Sequence, residues 1–139
     1  MRDLYHNVLP LQVLNPVVST ATKTSTSADI QGFNSLSMLF ALGLSADTLS
    51  VSLYWTLTLQ HSDDNSVFSA VSAADCNGGI NSITVNSSSL DRTVYSIGYN
   101  GSKRYIQAVA TPTGSVTSGM PIGMVALRGA AAYRPVVTP

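Results

Sequence analysis

The sequence predicts an all-β fold: one antiparallel β-sandwich of Ig-like or jelly-roll kind. It divides into an extended N-terminal arm (residues 1–16), the sandwich domain (17–129) and a C-terminal tail (130–139). Three observations carry that expectation. Polarity rests on hydroxyls, since 20 Ser and 13 Thr stand beside only 10% charged residues, with seven Asp and no Glu. Good helix formers such as Glu and Lys are thereby nearly missing, whereas Ser and Thr suit turns and strand faces. Apolar residues recur at period two in short segments bounded by Gly, Asn, Asp and Pro. No helix-period segment exceeds about two turns. A chain of 139 residues is one domain that buries roughly two-thirds of its unfolded surface, so its core needs neither disulfide nor metal.

The elements follow in order. Residues 1–16 carry apolar side chains, but Pro10 and Pro16 punctuate them, which reads as an arm lying on a surface. Val17 to Asp29, rich in Ser and Thr, suits an edge strand running into a loop. Beyond Gly32, the residues Leu36, Met38, Phe40 and Leu42 share one face of a strand. The strongest alternation is Val51, Leu53, Trp55, Leu57 and Leu59, interleaved with Ser52, Tyr54, Thr56 and Thr58. A helix would scatter those five around its circumference, so they form a half-buried strand with Trp55 in the core. Phe68–Val71 and Ile83–Val85 are short strands, separated by an Asn77-Gly78-Gly79 turn. Thr93–Tyr99 places Tyr95, Ile97 and Tyr99 on one face, and Asn100-Gly101 reads as a tight hairpin turn into Arg104–Ala110. Pro112 to Gly119 is a loop, and Ile122–Arg128 completes about eight strands.

Charge and motif content exclude several function classes. Zero net charge, with Lys103-Arg104 as the nearest thing to a basic stripe, argues against a nucleic-acid partner. The apolar run Met38–Leu44 is far too short to span a bilayer, so no membrane partner is expected. Asp3, His6, Asn7, Gln12 and Asn15 interrupt any signal-peptide core near the N-terminus, so the expected site of synthesis and assembly is inside a cell. A single cysteine, Cys76, excludes a disulfide framework and reads as a small, partly buried side chain. The stretch His61-Ser62-Asp63-Asp64-Asn65 offers ligands but no second cluster at metal-site spacing and no terminal Glu. It follows one strand and precedes another, and Asp and Asn cap their own backbone and tolerate left-handed turns, so a hairpin turn is expected there. No Gly-x-Ser-x-Gly elbow occurs, and Asn86-Ser87-Ser88 and Asn100-Gly101-Ser102 match glycosylation sequons only by chance in a Ser-rich chain. The expectation is a non-enzyme with no catalytic residues, cofactor or metal. Trp55, Tyr95, Tyr99 and Tyr105 would make a sugar platform only if several were exposed together.

Four segments together resemble a known group. They are Met1–Asn7, Asp29–Phe33, Leu57–Phe68 (Leu-Thr-Leu-Gln-His-Ser-Asp-Asp-Asn-Ser-Val-Phe) and Gly98–Ile106. The chain is similar over most of its length to the small β-rich virion proteins that tailed bacteriophages and prophages encode near the major capsid gene. The resemblance implies a structural protein of the virion head, decorating or cementing the capsid shell, or less directly a head–tail connector or collar component. It would be assembled in the host cytoplasm and placed on the capsid surface. Its partners would be the major capsid protein and further copies of itself, as dimers or trimers at lattice symmetry axes. On that reading the contacts come from the arms: Leu4, Tyr5, Leu9, Leu11 and Leu14, with Tyr133 and Arg134 in the tail. Lys103–Gln107 also resembles, locally, a strand of discoidin-type jelly rolls that bind sugars or lipid heads, over too short a stretch to carry function. The second expectation is a carbohydrate-binding jelly-roll module on the virion surface.

Overall fold

The computed structural model describes residues 3–133. Its strands are β1 (Val8–Ser19), β2 (Lys23–Thr24), β3 (Ala28–Asp29), β4 (Phe33–Leu42), β5 (Tyr54–Ser62), β6 (Ser69–Ala70), β7 (Ser82–Val85), β8 (Val94–Tyr99), β9 (Tyr105–Thr113) and β10 (Met120–Ala131). One sheet has four strands in the order β1-β10-β4-β8. The six-stranded sheet is centred on β9 and β5, with β2 and β3 pairing along β9, and β6 and β7 along β5. All pairings are antiparallel, so the chain is the antiparallel β-sandwich its alternation predicts.

Alternation places the core. Leu36, Met38, Phe40 and Leu42 of β4 face Trp55, Leu57 and Leu59 of β5 across the sandwich, and all seven are buried. Ile97, Ile106, Ile122 and Met124 extend that layer. Each large side chain fully removed from water contributes about 1.5–3 kcal/mol, which is why the two inner faces fix the register of both sheets.

Five expectations are corrected. Residues 8–16 belong to β1, which pairs with β10 from Val8↔Gly129 to Ser19↔Met120, so the domain starts well before residue 17. The strand carries Pro10 and Pro16 because it lies at a sheet edge and breaks register between Gln12 and Leu14 and between Leu14 and Val17. At the first break Val13 turns its carbonyl to Thr26 of the other sheet, accepting from Thr26 N–H at 2.9 Å and Thr26 Oγ1 at 3.0 Å. The expected edge strand from Val17 to Asp29 is instead the end of β1 followed by the two-residue pairings of β2 and β3 on β9.

The strand expected at 51–59 runs from Tyr54 to Ser62. Ser50 and Leu53 close a tight turn that leaves Val51 85% exposed, so its place in the alternation is accidental. Asn100-Gly101 is not a hairpin turn, because β8 and β9 lie in different sheets. A two-residue type I′ hairpin needs positive φ at both positions, and neither residue has it. The glycine is needed for another reason: a Cβ at Gly101 would lie 2.5 Å from the Tyr99 hydroxyl. Residues 130 and 131 complete the tail-side correction, since β10 continues to Ala131. Ala132 and Tyr133 follow, with the Ala132 N–H donating to the Gly32 carbonyl at 2.8 Å, and residues 134–139 lie outside the described residues.

Candidate interaction surface

His61 continues the inward row of Trp55, Leu57 and Leu59 and is only 8% exposed. Its Nδ1 shares a hydrogen bond of 3.0 Å with the Tyr99 hydroxyl, and the two rings meet edge to face at 5.8 Å. That hydroxyl also accepts the Lys103 N–H at 3.1 Å. Since β5 and β8 belong to opposite sheets, the pair ties the sheets together at one end of the sandwich. Burial pushes the Tyr99 phenol up, which keeps it protonated and able to serve as that link.

The neighbouring carboxylates point elsewhere. Asp64 accepts from Ser62 Oγ at 2.8 Å, Ser66 N–H at 2.9 Å and Val67 N–H at 3.1 Å. Those donors, the Ser62 hydroxyl foremost, pull its pKa down to about 2. Asn65 adopts φ of 59°, the left-handed conformation expected of a turn residue, and β5 and β6 pair on either side as Gln60↔Ala70 and His61↔Ser69. Asp63 forms an ion pair with Lys103, raising the lysine pKa. The three side chains thus serve three different partners, and among the described residues no three His, Cys, Asp or Glu gather as a metal site would need. Cys76 is buried, and desolvation pushes its thiol up, away from the thiolate a nucleophile requires.

A second carboxylate, not singled out by the sequence, clamps the opposite end. Asp47 accepts from Thr117 Oγ1 at 2.6 Å, Gly119 N–H at 2.7 Å and Ser118 N–H at 3.0 Å, and these hold its pKa at about 2. Nothing local could reveal this, because the partners lie about 70 positions further along the chain.

Charge is strongly segregated. Within β1, β4, β5, β8, β9 and β10 the only ionised side chain is Arg128, which points inward and donates to the Asp29 carbonyl of the other sheet at 3.2 Å. Asp29 and Arg104 pair through two bonds of 2.9 and 2.7 Å at the same end as Asp63–Lys103, and Arg104 holds the Asp29 carboxyl below its usual range. Asp47, Asp91 and Arg92 occupy loops at the other end. The outward rows of these six strands are consequently free of Asp, Lys and Arg, while Lys23 of β2 and Asp29 of β3 lie along the β9 side of the six-stranded sheet. On the four-stranded sheet the outward rows are Val8–Gly129–Ser35, Pro10–Leu127–Ser37–Gly98 and Gln12–Val125–Leu39–Ser96. On the other sheet they are built mainly of Thr and Gln, with Gln107 donating to Gln60 at 2.7 Å. The signal was present in the sequence, as long alternating segments free of Asp, Lys and Arg.

The seven expected contact residues divide. Leu4 and Tyr5, each 65% exposed, sit on a short turn in which the Leu4 carbonyl accepts from Asn7 and Val8, and Asp3 from His6. They line an apolar groove of about 570 Å³ with Val8, Pro10 and Leu127. Leu11 and Leu14 pack against their own core, and Leu9 is half-buried opposite Arg128. Tyr133 is 91% exposed, and Arg134 lies outside the described residues. The aromatic platform is not assembled. Tyr99 is buried, Tyr95 turns inward and donates to the Leu90 carbonyl at 2.6 Å, and Tyr105 lies on the other sheet.

Fold and surface define an antiparallel β-sandwich whose long strands carry uncharged outward rows. No protein-family model matches the sequence, and no curated protein does. The fold is similar to that of the PBSX exported protein XepA, at TM-score 0.52 and 12% identity, over 94% of this chain and 39% of that one. The chain therefore spans about two-fifths of XepA. The SPBc2 prophage-derived protein YomS matches at TM-score 0.38 and 12% identity, over 88% of this chain and 92% of YomS. The xylan-binding module CBM15 matches at TM-score 0.40 and 13% identity, over 94% and 95%. At these identities the XepA likeness is one of fold alone, and the two lower scores add nothing to it.

Proposed function

We propose that this chain is a non-enzymatic structural protein of a tailed-phage virion that decorates or cements the capsid shell by binding major capsid protein subunits. The carrying observation is the absence of Asp, Lys and Arg from the outward rows of the long strands. Outward rows free of Asp, Lys and Arg can be covered by neighbours without desolvating a charge, which costs several kcal/mol per ion. The exposed Leu4–Tyr5 turn adds an apolar prong at the rim of one such face. Repeated over a shell, modest contacts of this kind sum through avidity, so no single deep site is needed. The resemblance of Leu57–Phe68 and Gly98–Ile106 to phage head proteins points the same way.

Binding to shells lacking this protein tests the reading. Removing residues 1–7 takes away the prong and leaves β1 intact, so the expected product is folded and fails to co-sediment with shells. Removing residues 1–16 deletes most of β1 and is expected to unfold the domain. Normal shell binding by the shorter deletion would reject the role given to the turn.

A further inference from the structure

The outward face of the four-stranded sheet is a feature for which neither the tie at His61 nor the clamps at the two ends account. We propose that it is the self-association face, on which a second copy of this chain docks sheet against sheet about a two-fold axis. The proposal stands apart from the virion reading, because it concerns the protein in isolation.

Two arguments select a second copy as the occupant. The first is charge. A two-fold interface brings each surface against itself, so any ionised group near the axis meets its like. This face has none: its central rows are Pro10–Leu127–Ser37 and Val125–Leu39–Ser96. A partner chosen for charge would instead be read in the loops and at β3, where Asp91–Arg92, Asp63–Lys103 and Asp29–Arg104 pair, or at the Asp3–His6 turn beside the rim. The second argument is area. Four strands about 4.8 Å apart, and about nine residues long at roughly 3.4 Å per residue, present a face of about 19 by 30 Å. Two copies bury on the order of 1,100 Å², which reaches the roughly 1,000 Å² that a specific interface needs. Small side chains help: Ser35, Ser37 and Ser96 point outward from β4 and β8 and let the second sheet approach closely.

The test uses the full chain in sedimentation equilibrium at concentrations up to about 100 μM, a range that captures micromolar association. A dimer is expected. Lysines introduced at Ser37 and Ser96 (Ser37→Lys with Ser96→Lys) remove no core contact and place four charges in the interface, so the dimer should weaken at least about 100-fold. Thermal melting of the same variant should match that of the unmodified chain at concentrations where both are monomeric, which separates lost association from lost folding. Thr58→Lys, on the outward face of the other sheet, should leave the dimer unchanged. A chain that stays monomeric overturns the proposal, and so does a dimer broken by Thr58→Lys but not by the paired lysines. A monomer whose shell binding is lost with Ser37→Lys and Ser96→Lys would assign the face to the capsid instead, leaving the virion reading intact.

Discussion

Replacing Tyr99 with phenylalanine removes one oxygen and tests whether His61 is a structural tie. The hydroxyl makes two bonds, to His61 Nδ1 at 3.0 Å and to the Lys103 N–H at 3.1 Å. Each is worth roughly 0.5–1.5 kcal/mol net, and a buried imidazole nitrogen left without a partner costs a further ~1–3 kcal/mol. Allowing for partial relaxation, Tyr99→Phe is expected to cost about 2–3 kcal/mol. For a chain of this length that is a fall of roughly 6–15 °C in Tm. Urea denaturation should show the change as a lower midpoint at constant slope. His61→Leu extends the apolar row of β5 and removes the orphaned group, so the double variant should be more stable than the two single effects predict, with a coupling of at least about 1 kcal/mol. A Tyr99→Phe protein within about 0.5 kcal/mol of the parent would refute the reasoning, because the tie would then contribute no more than an ordinary surface change.

Two further outcomes test the account of the turns. Gly114→Ala should destabilise by at least about 2 kcal/mol, since its φ is +89° and a Cβ would sit 2.3 Å from the Ser52 carbonyl oxygen. Gly32→Ala, at φ +83° but with open space around it, should cost only the roughly 1–2 kcal/mol of a left-handed residue, and chemical denaturation separates the two. Asp47 and Asp64 titrate at about 2 in the folded chain against 3.8 free, so their stabilisation is complete above about pH 4 and is lost as pH falls through about 2. Thermal melts across that window should decline less steeply for Asp47→Asn than for the parent.

Much of the fold is legible because burial on one face imposes period two. The inward rows of β4 and β5 read directly, and the turn at Ser62–Asn65 follows from Asp and Asn chemistry. β1 is not legible, since Pro10, Pro16 and two register breaks destroy its alternation, and their tolerance depends on its position at a sheet edge. Sheet membership is also hidden. The chain passes from one sheet to the other between β8 and β9, and again between β9 and β10, so local turn signals such as Asn100-Gly101 say nothing about which strands pair. Of the expected contact residues, Leu4 and Tyr5 were legible as exposed apolar groups outside the alternating segments. Leu11 and Leu14 pack against the core from β1, which the interrupted alternation of residues 8–16 conceals.

Electron microscopy of purified particles tests the central claim most directly. The account predicts density for the two-sheet sandwich repeated across the outer surface of the shell, with an uncharged face or the Leu4–Tyr5 turn against capsid protein. Density confined to the portal vertex, or particles lacking the chain altogether, would contradict it.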